Sequence, residues 1–75
     1  MTEKQRKEIG DICRQTRIDN NMTVREMSKY ISEESGGTCS YSYSEISRIE
    51  LGERRLPFEL AVYYMKLGAD LSAVL

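Results

Sequence analysis

The side chains best placed to do chemistry in this chain cluster on one short stretch, Ser42-Tyr-Ser-Glu-Ile-Ser-Arg-Ile-Glu-Leu-Gly52. Wound as a helix at about 100° per residue, it sets Ser44, Ser47, Arg48 and Leu51 on one side and the apolar Ile46 and Ile49 on the other. Tyr43 stands on its first turn. Small hydroxyls and one guanidinium offer hydrogen bonds rather than acid–base or nucleophilic machinery. Histidine is absent, which removes imidazole catalysis and imidazole metal sites. Cys13 and Cys39 are too few and too far apart for a ligand cluster or a disulfide framework. No nucleophile–base pair stands out, so neither an enzyme nor a bound cofactor or metal is expected. What remains is recognition: an outer face built to be read against a partner.

Elements must hold that face in place. Ser42 and Glu45 have the spacing of a capping box, in which the hydroxyl bonds the Glu45 N–H and the carboxylate reaches back to the Ser42 N–H. Gly52 is the left-handed residue expected just past the helix end. The spacing thus predicts a helix over 42–51. Ile9, Ile12, Cys13 and Thr16 form the inner stripe of a first helix over 3–20, with Cys13 a small buried hydrophobe. Thr23 and Glu26 form a second capping box, opening a helix over 23–34 with Val24, Met27, Ser28 and Ile31 inward. Ser28 is small enough to let another helix cross closely. Gly36-Gly37 marks a turn, followed by an extended lead into Ser42 with Cys39 exposed or half exposed. Pro57 suits the first position of a fourth helix over 57–67. That helix is apolar on two faces, Leu60/Tyr63/Tyr64/Leu67 and Phe58/Val62/Met65/Ala69, which suggests that one face meets a partner. Gly68 ends it, and Asp70 caps a fifth helix over 70–75.

The expectation is an all-α fold in one domain, 1–75, of 75 residues. That length is near the lower limit for a self-sufficient core, which favours local contacts and a dimer. Net charge is −1, which counts against nucleic-acid binding, where a basic domain is the usual footprint. The charges are unevenly spread: Lys4, Arg6, Lys7, Arg14 and Arg17 make the first helix locally basic, while Glu33 and Glu34 lie elsewhere. The start Met1-Thr-Glu-Lys has no apolar core of a signal peptide, and no apolar run approaches membrane-spanning length. A cytoplasmic protein without membrane association is expected. The sequence stops just after a last apolar turn, so a longer parent chain remains open.

This order of helices and boxes resembles the phage-repressor and Cro-type helix-turn-helix family. The residues that carry the resemblance run from Ile9 to Leu75. The most specific part is I-x-x-I-E-x-G-x-R-x-x-P, here Ile46 to Pro57. It implies a compact five-helix, lambda-repressor-like helix-turn-helix domain. It also implies an ion pair between Arg17 and Glu50, which would satisfy a carboxylate otherwise costly beside the core. In the family the third helix lies in the major groove of double-stranded DNA. The matching base-contacting positions are Tyr43, Ser44, Ser47 and Arg48, with Arg48 suited to guanine. Phosphate contacts fall to Thr23, Val24, Arg25 and Ser42 at two helix N-termini and to Arg54 and Arg55 in the following loop. A homodimer would pair through Phe58, Val62, Met65, Leu71, Val74 and Leu75.

The chain departs from the family in two places. About eight extra residues, around Glu33 to Tyr41, separate the second and third helices, and such surface insertions are thermodynamically cheap. They could form a wing bearing Tyr41, or take a protein partner. Leu51 stands where the family often has a polar residue. Two readings follow: a sequence-specific, repressor-like regulator binding an inverted repeat as a dimer, or a protein-interaction module or inhibitor on the same fold that does not bind DNA.

Overall fold

The structure, a computed structural model, describes residues 2–72 and 74. Among them the chain is all-α, with α1 (Glu3–Asp19), α2 (Val24–Glu34), α3 (Tyr43–Glu50) and α4 (Phe58–Lys66). The Thr23–Glu26 and Ser42–Glu45 capping boxes both form. A third box, Thr2 with Gln5, starts α1 and was not anticipated from the sequence. Each satisfies backbone N–H groups that the first helical turn leaves unpaired. Pro57 is the N-cap of α4, in extended conformation, rather than its first helical residue.

Among the described residues the expected five-helix unit is corrected to four helices. After α4 the chain turns through Leu67 and Gly68, and Ala69 and Leu71 are buried in the core without helical structure. Asp70 does not cap a helix. Its Oδ1 accepts from the Ser72 N–H (3.2 Å) and the Ser72 hydroxyl (2.6 Å), closing a local turn. Short polar side chains favour such turns because they offer the backbone an alternative to helical bonds. Positions 73 and 75 of the expected fifth helix lie outside the described residues.

Ile9, Cys13, Met27, Ile31, Ile46, Ile49, Leu60 and Tyr64 meet in one core to which every helix contributes. A close helix crossing falls at Gly10. A Cβ on Gly10 would lie 2.5 Å from the Glu50 carbonyl oxygen and 2.8 Å from that of Ile49. Only glycine lets α1 ride this closely over the end of α3. Gly52, at φ +79, presses on Lys7 of α1 in the same way, with 2.8 Å between its would-be Cβ and the Lys7 Cα.

The segment after α2 is folded back onto the protein. The Ser35 hydroxyl donates to the Cys39 carbonyl (3.0 Å) and accepts from the Cys39 N–H (3.0 Å). Gly36 and Gly37 take the left-handed conformation between them. This turn pushes Cys39 into the core, correcting the expectation of an exposed or half-exposed thiol. Ser28 donates to the Tyr41 carbonyl, and the Tyr41 hydroxyl donates to Glu59 of α4. The extra residues are therefore a strap across α2 and α4, and Tyr41 is half-buried rather than projecting on a wing.

Candidate functional site

Two constellations lie at opposite ends of α3. The first is buried. Arg17 Nε donates to both Glu50 oxygens at 3.0 Å, and its Nη2 lies 3.0 Å from Oε1. Arg17 Nη1 donates to the Met22 carbonyl at 2.8 Å, just before α2. Tyr64 of α4 donates its hydroxyl to Glu50 Oε2 at 2.7 Å. Glu50 is 3% exposed, so its charge depends on these partners. Burial, then the Glu50 carboxylate, raises the Tyr64 phenol far above its ordinary value. Burial, then the same carboxylate, pushes the Cys13 thiol up to about 12. Both groups are thus held neutral, and a neutral buried thiol is a poor nucleophile. This cluster ties together α1, α3, α4 and the entry to α2; it is architecture.

Tyr64 and Gly10 are the members of this region that sequence reasoning missed. Tyr64 appeared only as part of an apolar stripe, although a tyrosine on a core stripe needs a partner for its hydroxyl. Gly10 carried one usable signal, a glycine inside an otherwise regular helical pattern.

The second constellation is exposed and gathers at the N-terminal ends of α2 and α3. Arg25 lies over the ring of Tyr43, 4.1 Å from its centroid. A stacked guanidinium uses its face and leaves its N–H edge available to acceptors. Tyr43 is 48% exposed. Ser44 is exposed, Ser47 is half-buried beside the helix core, and exposed Arg48 lies further along, on the last turn of α3. The Ser42 hydroxyl is occupied by its cap, accepting from the Glu45 N–H at 3.3 Å. Thr23 likewise accepts from the Glu26 N–H at 3.1 Å. Val24 is half-buried and offers only backbone. Arg54 lies 4.0 Å from Glu45 in a half-exposed pair, and Arg55 is exposed. The structure therefore brings Arg25 to Tyr43 and brings the loop after α3 back to its first turn.

The expected dimer residues do not form one surface. Phe58 is 81% exposed and Met65 is exposed, with Val62 half-buried in the same helix. Leu71 is buried in the core of its own chain, and Val74 packs against that core. Leu75 lies outside the described residues. Leu71 leaves the candidate interface because the chain end crosses the core in place of forming a helix.

Among the described residues no group of three or more His, Cys, Asp or Glu could hold a metal ion. Among the described residues no helix is long and apolar enough to cross a membrane. Comparison with protein-family models, curated proteins and solved structures finds no match.

Proposed function

We propose that this protein is a sequence-specific DNA-binding regulator of the helix-turn-helix kind, acting in the cytoplasm, with α3 entering the major groove. The observation that carries the reading is the junction of Arg25 with Tyr43. It sets a cation from the start of α2 beside the exposed first turn of α3, the helix whose outer face also carries Ser44 and Arg48. A regulator of this kind needs such a surface, with a backbone-binding charge beside groups that can read base edges. Arg48 has the geometry for guanine, and Ser44 and Ser47 can donate or accept. The net charge of −1 does not decide against this, because a duplex meets the local surface, where Arg25, Arg48, Arg54 and Arg55 are exposed. The partner is double-stranded DNA. The copy number is two, with Phe58, Val62 and Met65 of α4 as the contact between copies.

Selection against a duplex library tests the reading. The wild type should enrich an inverted repeat with half-sites about one helical turn (~34 Å) apart. Arg48→Ala should lose ~1–3 kcal/mol of binding and relax preference at one base pair. Affinity should fall steeply between about 50 and 200 mM salt. Absence of duplex binding even at low salt overturns the proposal. Exposed Phe58 (81%) and Leu51 (57%) favour a second reading, a protein-interaction module without DNA affinity. That outcome would be its support.

A further inference from the structure

We infer that the groove between α2 and the strap is a binding site for a small organic phosphate carrying hydroxyl groups. The groove has a volume of about 390 Å³, enough for a compact metabolite. One wall is a single face of α2, where Arg25, Ser28, Lys29, Ser32 and Glu33 recur at helical spacing. An ordinary solvated helix face would have no second wall. Here the strap supplies it through Ser40, with Tyr43 closing one end.

That wall is built, not draped. The Ser28 hydroxyl donates to the Tyr41 carbonyl, and the paired Ser35–Cys39 bonds anchor the residue before Ser40. The Ser28 proton is committed to the strap, so its oxygen faces the groove's ligand chemistry as an acceptor. The strap is thereby fixed to the helix it faces, and the groove is pre-formed.

The chemistry of the lining selects the ligand. Arg25 and Lys29 lie one turn apart and outnumber the single acid, Glu33. Two cations on one face suit a phosphate dianion: the guanidinium edge offers paired N–H donors and the ammonium a point charge. Arg25 is already oriented by the Tyr43 ring at 4.1 Å, so less side-chain freedom is lost on binding. Glu33 and the Ser28 oxygen accept hydrogen bonds, and so require donors on the ligand. Inorganic phosphate meets the first demand but brings only its own P–OH protons as donors, and an uncharged sugar meets only the second. A sugar monophosphate meets both.

The groove shares Arg25 and Tyr43 with the exposed end of α3. An occupied groove neutralises the cation that the proposed DNA surface would use. Ligand and DNA then oppose each other by the same factor in either direction. This regulatory consequence rests on the DNA reading; the binding site itself does not.

The test is an amide NMR titration of the whole chain with ribose 5-phosphate, with ribose and inorganic phosphate as controls. Saturable shifts at Ser28, Ser32 and Ser40, with a dissociation constant of about 1 mM or tighter, are expected. Ribose should give none, and inorganic phosphate should bind more weakly. Lys29→Gln should weaken binding about tenfold or more while the remaining amide spectrum stays that of the wild type. Ser40→Asp, which adds a carboxylate to the facing wall, should do the same. Three results overturn the site: no saturation, equal binding of inorganic phosphate, or undiminished binding by both variants. With a selected duplex in hand, ribose 5-phosphate should also lower DNA affinity. If the sugar phosphate binds and no duplex does, the DNA reading fails and the site stands. If both bind without mutual effect, the regulatory consequence is overturned.

Discussion

At its C-terminal end α3 is pressed beneath Gly10 and carries Glu50, whose oxygens are shared between Arg17 and Tyr64. At its N-terminal end the same helix shows Tyr43 and Ser44 to solvent, with Arg25 laid over the tyrosine, and its outer face carries exposed Arg48 on the last turn. Both ends are rich in polar groups, yet the physics differs. Below Gly10 a charge is out of water, and every bond to it must be supplied by the protein. At Tyr43 the groups remain solvated and cost little to leave unpaired. One short helix therefore has an end committed to the fold and an end free to meet a partner. Polar character alone does not mark a functional residue; accessibility decides it.

Substitutions at the two ends should separate accordingly. Glu50→Ala leaves Arg17 buried without its partner, and ~3–5 kcal/mol of stability should be lost in denaturant unfolding. A loss below about 1 kcal/mol would place the pair in the range of surface ion pairs and erase the distinction. Next comes Gly10→Ala. Its methyl group would sit 2.5 Å from the Glu50 carbonyl oxygen, which is backbone and cannot swing aside. A loss of ~1–3 kcal/mol, or failure to fold, is expected from such overpacking, measured by thermal unfolding. A neutral effect would mean that α1 and α3 are not in close contact. Arg48→Ala on the exposed face of α3 should change stability by no more than about 0.5 kcal/mol while altering duplex binding. If it destabilises as Glu50→Ala does, the comparison collapses.

A smaller effect should come from the strap that links the exposed end to α4. The Tyr41–Glu59 hydrogen bond, with lesser contributions from burial and nearby acids, raises the Tyr41 phenol from 10.0 to about 12. Hydrogen bonding to Tyr41 also lowers the Glu59 carboxyl. A phenol raised in the folded state stabilises fully below its unfolded value of 10.0, and the contribution is lost as pH climbs towards 12. For Glu59 the contribution is present above the unfolded carboxyl value and is lost as acid protonates it. Tyr41→Phe should therefore flatten the alkaline limb of a stability–pH curve between those two values. An unchanged alkaline limb would show that the strap does not depend on this bond.

Much of the scaffold was legible because its signals are local. The partners of a capping box sit three residues apart in sequence, so the boxes at Thr23 and Ser42 bound Val24–Glu34 and Tyr43–Glu50 to within a residue or so. Ile46 and Ile49 likewise declare their common face by spacing alone. Asp70 shows the limit of such signals. A cap residue before an apolar pattern fits a helix start, but Asp70 and Ser72 close their own turn and Leu71 enters the core. The same short polar side chain serves both outcomes, and the choice is made by whether burial of the following apolar residue is better served by winding or by crossing.

By itself, then, the sequence determined where α2 and α3 begin and that Ile46 and Ile49 face the core, since each depends on neighbours within one or two turns. The resemblance added the Arg17–Glu50 pairing across the chain. Only the tertiary structure decided that Tyr64 completes the Glu50 site, that α1 crosses at Gly10, that Cys39 is buried, and that the extra residues form a strap and a groove. Those outcomes depend on groups far apart in sequence whose approach is set by packing, and no spacing along the chain records that.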